Sequence, residues 1–245
     1  MTPFAAMRLR RAVQAVDPYY GNVSSLLHGD GPNASTTFTD QKGKVWTPSG
    51  GAQISTAQSV FGGASMSFNG SNSVVSTPNS ADFAMGTGAF TAELRWRPTS
   101  ASVDSQLVTW SAPTVSVNND WGWAIAHFGA ALSGKVRGFV YVGTTQYAVD
   151  STTALSAGTW YAIRFERVVD TLYLYINGTR EAVTVMPTSA NVNTGAGFTA
   201  RLGYGHSGAT RWANGFMDEV RITKGVGRSS GATSYVLDTS AFPDS

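Results

Sequence analysis

Residues 158–178 read Gly-Thr-Trp-Tyr-Ala-Ile-Arg-Phe-Glu-Arg-Val-Val-Asp-Thr-Leu-Tyr-Leu-Tyr-Ile-Asn-Gly. Along both halves of this stretch two sets of side chains alternate, and a period of two is typical of strands that bury one face. A turn falls near Val169-Asp170, and Asn177-Gly178 is the strongest short signal for a hairpin. The stretch therefore predicts an antiparallel sheet with a hairpin at each end.

Short runs of the same kind recur through the rest of the chain, separated by turns rich in Gly, Asn and Asp. Many short strands without crossover helices predict an all-β fold, built as a two-sheet antiparallel β-sandwich. The predicted strands are 23–28, 44–48, 65–69, 73–76, 90–97, 106–110, 121–128, 135–142, 145–149, 159–167, 171–177, 180–185, 198–204 and 216–222.

Length and composition are consistent with one domain. A chain of 245 residues suits a single all-β unit. A chain of this size buries roughly 70–75% of the surface that its unfolded form exposes, so it needs no disulfide or metal to stabilise the fold. Cysteine is absent, which excludes disulfides and thiolate metal sites. We find no linker or internal repeat that would divide the body, residues 23–245.

Charge is concentrated at the N-terminus. The net charge is +2, and Arg8, Arg10 and Arg11 contribute three positive charges within four residues. The remaining chain holds 14 basic and 15 acidic residues and is nearly neutral. Nucleic-acid binding usually requires a basic face, so we expect no nucleic-acid partner. No apolar run approaches 18 residues, so we expect no membrane insertion.

Residues 1–22 are predicted to form an N-terminal basic arm. No apolar block follows the arginines, so the pattern does not fit a secretory signal. Residues 5–16 fit a short helix with a basic and an apolar face, which Asp17-Pro18 would end. Two interpretations stay open: an unstructured terminus, or an arm that becomes ordered on a neighbouring subunit.

Four stretches in the body carry a family resemblance. Together they resemble the concanavalin A-like, laminin-G-like jelly-roll family over residues 24–243. They are Ser25–Gly31 with Phe38–Asp40, then Phe61–Gly70 with Pro78–Phe83, then Phe90–Trp96 with 158–178, and finally Gly215–Gly225.

The chain is similar to the members of the family that bacteriophages encode. The similarity rests on Leu-Leu-His-Gly-Asp-Gly near the start and Asp-Glu-Val-Arg-Ile-Thr-Lys-Gly near the end. The resemblance implies a virion surface module made in the host cytoplasm: a capsid decoration, head fibre or tail appendage. It implies other virion proteins and host-surface glycans as partners, and a homo-oligomer, with a trimer as the first expectation. Arg8, Arg10 and Arg11 would then dock the arm on the particle.

The sequence predicts no catalytic pair. Glycosidases need two carboxylates that flank the glycosidic bond to be cleaved. The glucanases of the family that this chain resembles carry a Glu-x-Asp-x-x-Glu pattern, which is absent here. Asp218 and Glu219 are adjacent, so on a strand they point to opposite faces; we expect one to satisfy buried backbone groups and the other to meet solvent. We therefore predict a protein that is not an enzyme. Two alternatives stay open: a secreted bacterial carbohydrate-binding or adhesion module, and a glycan-cleaving enzyme using Glu93, Glu166 or Glu219.

No cofactor is predicted to be required, but relatives of this fold bind calcium at a loop rim. Calcium takes six to eight oxygen ligands, and the best local set is Asn118, Asn119 and Asp120, with Asp104 from a neighbouring loop. A plain turn explains the first three equally well.

Tryptophans are the candidate glycan contacts. Trp121 and Trp123 are two apart, so a regular strand would place them on one face, where they would stack on sugar rings or else fill the core. Trp212 lies in a polar loop and is expected to be exposed, for a glycan or for a subunit contact.

Overall fold

A computed structural model of the protein describes residues 16–113, 117–204 and 211–245. These ranges contain short 3-10 turns at Tyr20–Asn22, Ala81–Phe83 and Asn118–Asp120 and no α-helix, so they hold no helix able to span a membrane. The strands are β1 (Val23–Leu27), β2 (Thr47–Ser49), β3 (Gln53–Ser55), β4 (Ser65–Asn69), β5 (Val74–Thr77), β6 (Phe90–Pro98), β7 (Ser105–Ser111), β8 (Trp121–Phe128), β9 (Lys135–Val142), β10 (Thr145–Ala154), β11 (Tyr161–Val168), β12 (Thr171–Ile176), β13 (Thr179–Val185), β14 (Thr199–Leu202) and β15 (Asn214–Lys224).

The strands form two antiparallel sheets packed face to face. The first sheet has the order β13-β12-β11-β6-β15-β4-β3, and β1 pairs with the C-terminal half of β15. The second sheet has the order β10-β9-β8-β7-β14-β5-β2. This arrangement confirms the predicted all-β, two-sheet antiparallel sandwich of the jelly-roll, concanavalin A-like class.

The hairpins predicted around residues 158–178 are present. β11 and β12 pair in register from Ile163 opposite Ile176 to Val168 opposite Thr171. Asn177 and Gly178 connect β12 to β13 with φ values of 49° and 81°. Two successive positive φ values are what a type I′ hairpin turn requires, and Asn-Gly accommodates them with little strain.

The core lies between the two sheets and includes aromatic rings from both. Phe90 of β6 lies 5.4 Å from Phe165 of β11 and 5.9 Å from Trp123 of β8, measured between ring centroids. All three side chains are fully buried. Aromatic contacts across the sandwich therefore fix the two sheets against each other.

The C-terminal segment, residues 225–245, covers the outer face of the first sheet. The guanidinium of Arg164 lies 3.5 Å from the ring centroid of Tyr235, and that of Arg221 lies 3.7 Å from the ring of Phe242. Phe242 also packs with Leu26 of β1. This cover explains why charged side chains on the outer face of β6, β11 and β15 are buried.

One local prediction is wrong. Asp218 and Glu219 were expected to divide between backbone contacts and solvent, but both are buried, at 0% and 1% exposure. β15 contains a bulge between Asp218 and Arg221, and Glu219 has a φ of 53°. A bulge breaks the strict alternation on which the prediction rested.

The ordered body extends beyond its predicted start. Asp17 falls within the predicted arm, residues 1–22, but it is 5% exposed and ion-paired with Arg221 of β15 and Arg228 of the C-terminal segment. Residues 17–22 therefore pack on the sandwich, so the sandwich domain begins earlier than the predicted residue 23. The predicted docking residues Arg8, Arg10 and Arg11 lie outside the described residues.

Candidate functional site

A groove runs along the outer face of the second sheet. Its volume is about 410 Å³, and β7, β8, β9 and β10 contribute to its walls. Trp121 lines one end and Phe128 the other, and seven residues of strand span roughly 23 Å. We call this feature the outer groove; its lining residues are Gln106, Asn118, Trp121, Phe128, Ala131, Leu132, Arg137, Phe139, Tyr141, Gln146 and Arg211.

Three aromatic rings form one end of the outer groove. Trp121 meets Phe139 edge to face at 5.4 Å between centroids, and Phe139 meets Tyr141 in the same way at 6.0 Å. Phe139 and Tyr141 are two apart on β9 and share a face, while Trp121 comes from the neighbouring β8. The cluster is separate from the core between the sheets, so its rings serve the outer surface.

The expectation that Trp121 and Trp123 share a face is wrong. Trp121 pairs with Ser111 and Trp123 with Trp110, so the ladder shifts by one residue between the two tryptophans. Trp123 consequently points into the core, where it is fully buried and its Nε1 donates to the carbonyl of Phe83 at 2.9 Å. Of the two, only Trp121 lines the outer groove.

Neutral amide groups line the same groove. Gln106 of β7 is 1% exposed, and its Oε1 has no hydrogen-bond partner among the residues that the structure describes. Gln146 donates from Nε2 to the hydroxyl of Tyr141 at 3.0 Å, and Asn118 donates from Nδ2 to the carbonyl of Thr144 at 3.0 Å. Within the described ranges, Oε1 of Gln106 thus keeps hydrogen-bonding capacity that no neighbouring group uses.

Two arginines flank Phe128 at the other end. Their guanidinium carbons lie 5.7 Å (Arg137) and 5.0 Å (Arg211) from the ring centroid. Arg137 binds Asp150 through two hydrogen bonds of 2.6 and 2.8 Å, which raise the pKa of Arg137. Arg211 has a looser ion pair, with Nε 3.7 Å from Oδ2 of Asp104. Arg211 is therefore the less neutralised of the two cations.

The four predicted calcium ligands do not come together. Asn118, Asn119 and Asp120 form a 3-10 turn at the start of β8, whereas Asp104 precedes β7 and lies at the opposite end of the β7–β8 ladder. Asp104 accepts hydrogen bonds from the backbone N–H groups of residues 130 and 131, and Asp120 accepts one from residue 117. Within the described ranges, no three Asp, Glu, His or Cys side chains form a metal cluster.

Trp212 lies beside the outer groove but does not line it. Its ring stacks on Tyr204 at 3.9 Å between centroids with an interplanar angle of 15°, so one of its faces is already occupied. The side chain is half-buried, which is less exposure than a polar loop suggested.

The carboxylates considered for catalysis belong to the other sheet. Glu93, Glu166 and Glu219 lie on β6, β11 and β15, and all three are buried. Burial acts to raise the pKa of Glu93, but the charges of neighbouring arginines hold it at about 2. Glu166 accepts a hydrogen bond from the hydroxyl of Tyr175, and Glu219 contacts His28. In the described part of the chain, no Asp or Glu lines the outer groove.

Solved structures of other proteins share this fold. One is domain 4 of AbnA, a GH43 extracellular arabinanase from Geobacillus stearothermophilus, solved in complex with arabinotriose. It has 18% sequence identity to this chain, the match covers 85% of this chain and 96% of that chain, and the TM-score is 0.63. The binding domain of Paraclostridial Mosquitocidal Protein 1 matches with 14% identity over 86% of this chain and 51% of that chain, at 0.65.

Botulinum neurotoxin type C, whose cell entry depends upon interaction with two ganglioside molecules, matches with 12% identity over 85% of this chain and 49% of that chain, at a TM-score of 0.60. This chain therefore spans about half the length of the two toxin chains. A search of curated proteins finds no match. At these identities the likeness establishes the fold. The model of the Concanavalin A-like lectin/glucanases superfamily matches residues 69–227, more than half of the chain, and the protein therefore belongs to that superfamily.

Proposed function

We propose that the protein is a non-catalytic carbohydrate-binding module whose ligand lies in the outer groove. The observation that carries this proposal is the combination of an aromatic cluster with the unsatisfied amide of Gln106 in one groove. A groove of about 410 Å³ that follows most of a strand suits several linked sugar rings.

The two kinds of lining match the two kinds of surface on a sugar. The C–H faces of a pyranose or furanose are apolar and pack against aromatic rings such as Tyr141. Sugar hydroxyls both donate and accept hydrogen bonds, and the amides of Gln106 and Gln146 do the same. Aromatic contact would supply affinity, while the amides would select hydroxyl positions.

Binding without cleavage fits the positions of the carboxylates. Glycoside hydrolysis canonically uses two carboxyl groups on either side of the scissile bond. Asp150 is committed to Arg137, and Asp104 accepts two backbone hydrogen bonds. A sugar in the outer groove would thus lie among rings and amides, at a distance from the buried carboxylates of the other sheet.

Two relatives support the class of ligand. The arabinanase domain was solved with arabinotriose, and the cell entry of botulinum neurotoxin type C depends upon interaction with two ganglioside molecules, which carry carbohydrate. Their fold is the fold of this chain, so a carbohydrate ligand is the first to test here. Arabinotriose is one defined probe, and a glycan array covers the alternatives.

The test combines a glycan array with calorimetric titration of the best ligand. Replacing the half-buried Tyr141 by Ala removes a ring from the groove and is expected to weaken binding about tenfold. Gln106→Met removes an unsatisfied amide at similar volume, so it should weaken binding without lowering stability. Tyr173→Ala, at a half-buried tyrosine of the first sheet, is the control. Unchanged affinity in both groove variants, or no glycan bound, would exclude this function.

We also propose that the module is carried on a bacteriophage particle, as a capsid decoration, head fibre or tail appendage. The support is the phage-like form of the motifs at 25–31 and 218–225. Mass spectrometry of purified virions should detect the protein, and its absence there would contradict this placement. Light scattering of the isolated protein tests the expected trimer.

A further inference from the structure

A second pocket lies on the opposite side of the sandwich from the outer groove. It opens on the outer face of the first sheet, beside the C-terminal segment, and has a volume of about 180 Å³. We call it the Arg95 pocket. Its principal lining residues are Phe61, Arg95, Trp160, Asn177, Leu237 and Asp238.

Arg95 is a buried cation with a weak partner. It is 7% exposed, and Nη2 donates to the carbonyl of Asp238 at 3.4 Å while lying 3.8 Å from Oδ2 of that residue. Its Nε has no hydrogen-bond partner in the described ranges. A buried charge is costly unless it is both paired and hydrogen-bonded.

Three other arginines, on this outer face or in the C-terminal segment itself, have closer partners than Arg95 has. Each donates a hydrogen bond of 2.7 Å to a neighbouring side chain, which Arg95 does not. These bonds run from Arg164 to Ser229, from Arg221 to Glu93 and from Arg228 to Asp17. Nε of Arg164 and Nε of Arg221 also have no hydrogen-bond partner in the described ranges, so Arg95 differs from these arginines in the length of its contacts with Asp238.

The rest of the Arg95 pocket is suited to a ring. Trp160 and Phe61 are half-buried and Leu237 is 36% exposed, so an apolar wall meets solvent beside the guanidinium. Asn177 accepts a hydrogen bond from the backbone N–H of Ala162 through Oδ1, which leaves its amide nitrogen as a donor. Cation, apolar wall and amide donor thus surround one small cavity.

We propose that the Arg95 pocket binds the carboxylate of an acidic sugar, of the uronic or sialic acid type. A carboxylate fits the guanidinium fork and would complete the hydrogen bonding of Arg95. The sugar ring would pack against Trp160. The nearby carboxylate of Asp238 disfavours a dianionic phosphate, and the small volume suits one sugar unit. This site is separate from the outer groove and does not depend on the function proposed for it.

The decisive comparison uses two probes that differ only in the carboxylate. Calorimetric titration of the full chain with methyl β-D-glucuronide and methyl β-D-glucoside should show binding of the glucuronide, and at least about tenfold weaker binding of the glucoside. The methyl glycoside of N-acetylneuraminic acid distinguishes a sialic acid site from a uronic acid site. Equal affinity for glucuronide and glucoside, or no acid bound with a Kd below about 1 mM, would overturn the proposal.

Variants then assign the binding to this pocket. Arg95→Gln and Trp160→Ala should each weaken binding of the acidic probe about tenfold or more. Arg97→Gln, two residues along β6 and outside the pocket, is the matched control and should bind normally. Trp160 is half-buried, so we expect its replacement to preserve the fold even if Arg95→Gln does not fold. Tyr141→Ala should leave acid binding unchanged, and wild-type affinity in Trp160→Ala would refute the assignment.

Discussion

His28 holds the end of the chain against the end of β1. Its Nδ1 lies 2.8 Å from Oε1 of Glu219, and its Nε2 lies 2.8 Å from Oδ1 of Asp244. Burial acts to lower the pKa of His28, but the hydrogen bonds to Glu219 and Asp244 raise it to about 9. The imidazole is therefore charged at neutral pH and fastens the C-terminal segment to the body.

Stability is predicted to fall at alkaline pH because of this histidine. The folded pKa of about 9 lies above the ordinary value of 6.5, so the stabilisation is complete below pH 6.5 and is lost as the pH rises toward 9. The difference corresponds to about 3 kcal/mol in the free energy of unfolding. Denaturant unfolding at a series of pH values measures it, and His28→Gln should flatten the curve between pH 6.5 and 9.

His127 offers a control with the opposite sign. Burial lowers the pKa of His127 to about 4, although the charge of Asp104 opposes the shift. A histidine kept neutral in the fold costs stability as the pH falls from 6.5 toward 4. His127→Gln should therefore alter the acid limb of the curve and leave the alkaline limb unchanged. An alkaline limb that persists in His28→Gln would show that another group causes it.

Among the elements, β8 determines which tryptophan reaches the outer groove. Gly122 lies at the register shift between Trp121 and Trp123. A Cβ at Gly122 would lie 2.5 Å from Cδ1 of Trp110 and 2.8 Å from the carbonyl oxygen of Asn193. The shift therefore depends on the close backbone approach that glycine permits.

Gly122→Ala is predicted to destabilise the protein and to weaken ligand binding in the outer groove. Overpacking of this kind costs about 1–3 kcal/mol, and the displaced strand would move Trp121. Thermal unfolding and glycan titration measure the two effects. Gly21→Ala is the control, because a Cβ there meets no atom within 4 Å. Wild-type stability in Gly122→Ala would contradict this account of the bulge.

Strands were predictable where alternation is regular and turns have strong signals. β8 and β9 match the predicted bounds, and the turn at Asn177-Gly178 forms as expected. β3, Gln53–Ser55, was missed because three residues are too few to establish a period. The bulges near Gly122 and Glu219 were missed because each moves a side chain to the face opposite the one that strict alternation assigns.

The candidate site was less predictable than the strands that form it. Trp121 was identified from the sequence, but Gln106, Phe139 and Tyr141 are brought to it only by pairing between β7, β8 and β9. The spacing of Phe139 and Tyr141 on one face of β9 was the available local signal. Cross-strand register depends on contacts distant in sequence, which a single sequence does not specify.

At the scale of the whole molecule, the two sheets differ in what their outer faces offer a partner. The first sheet is covered by the C-terminal segment, and a network of arginines and carboxylates is buried beneath it. The second sheet leaves its aromatic cluster at an open groove. The Arg95 pocket lies at the margin of the covered face. A glycan in the outer groove and an acidic sugar in the Arg95 pocket would therefore bind on opposite sides of one sandwich.

Asp17, near the start of the described chain, contacts the C-terminal segment. The backbone N–H of Asp17 donates to the carbonyl of Ser245 at 2.8 Å. The carboxylate of Asp17 accepts two hydrogen bonds from Arg228, at 2.7 and 2.9 Å, and one from Arg221 at 3.1 Å. Any segment before Asp17 therefore starts from a fixed point beside the C-terminus.

Asp17→Asn is predicted to destabilise the whole sandwich, whereas removal of residues 1–15 is not. The substitution leaves Arg221 and Arg228 buried without a counter-charge at that position, a change that typically costs about 3–5 kcal/mol. For a domain of this size the melting temperature should fall by on the order of 10 °C.

The truncated chain keeps Asp17 and its ion pairs, so its melting temperature should match that of the full chain. If the arm docks on a particle, the truncated protein will fold normally but fail to attach to virions. A truncated protein that still attaches would show that docking resides in the sandwich, and an unchanged melting temperature in Asp17→Asn would show that the ion pairs do not stabilise the closure of the two ends.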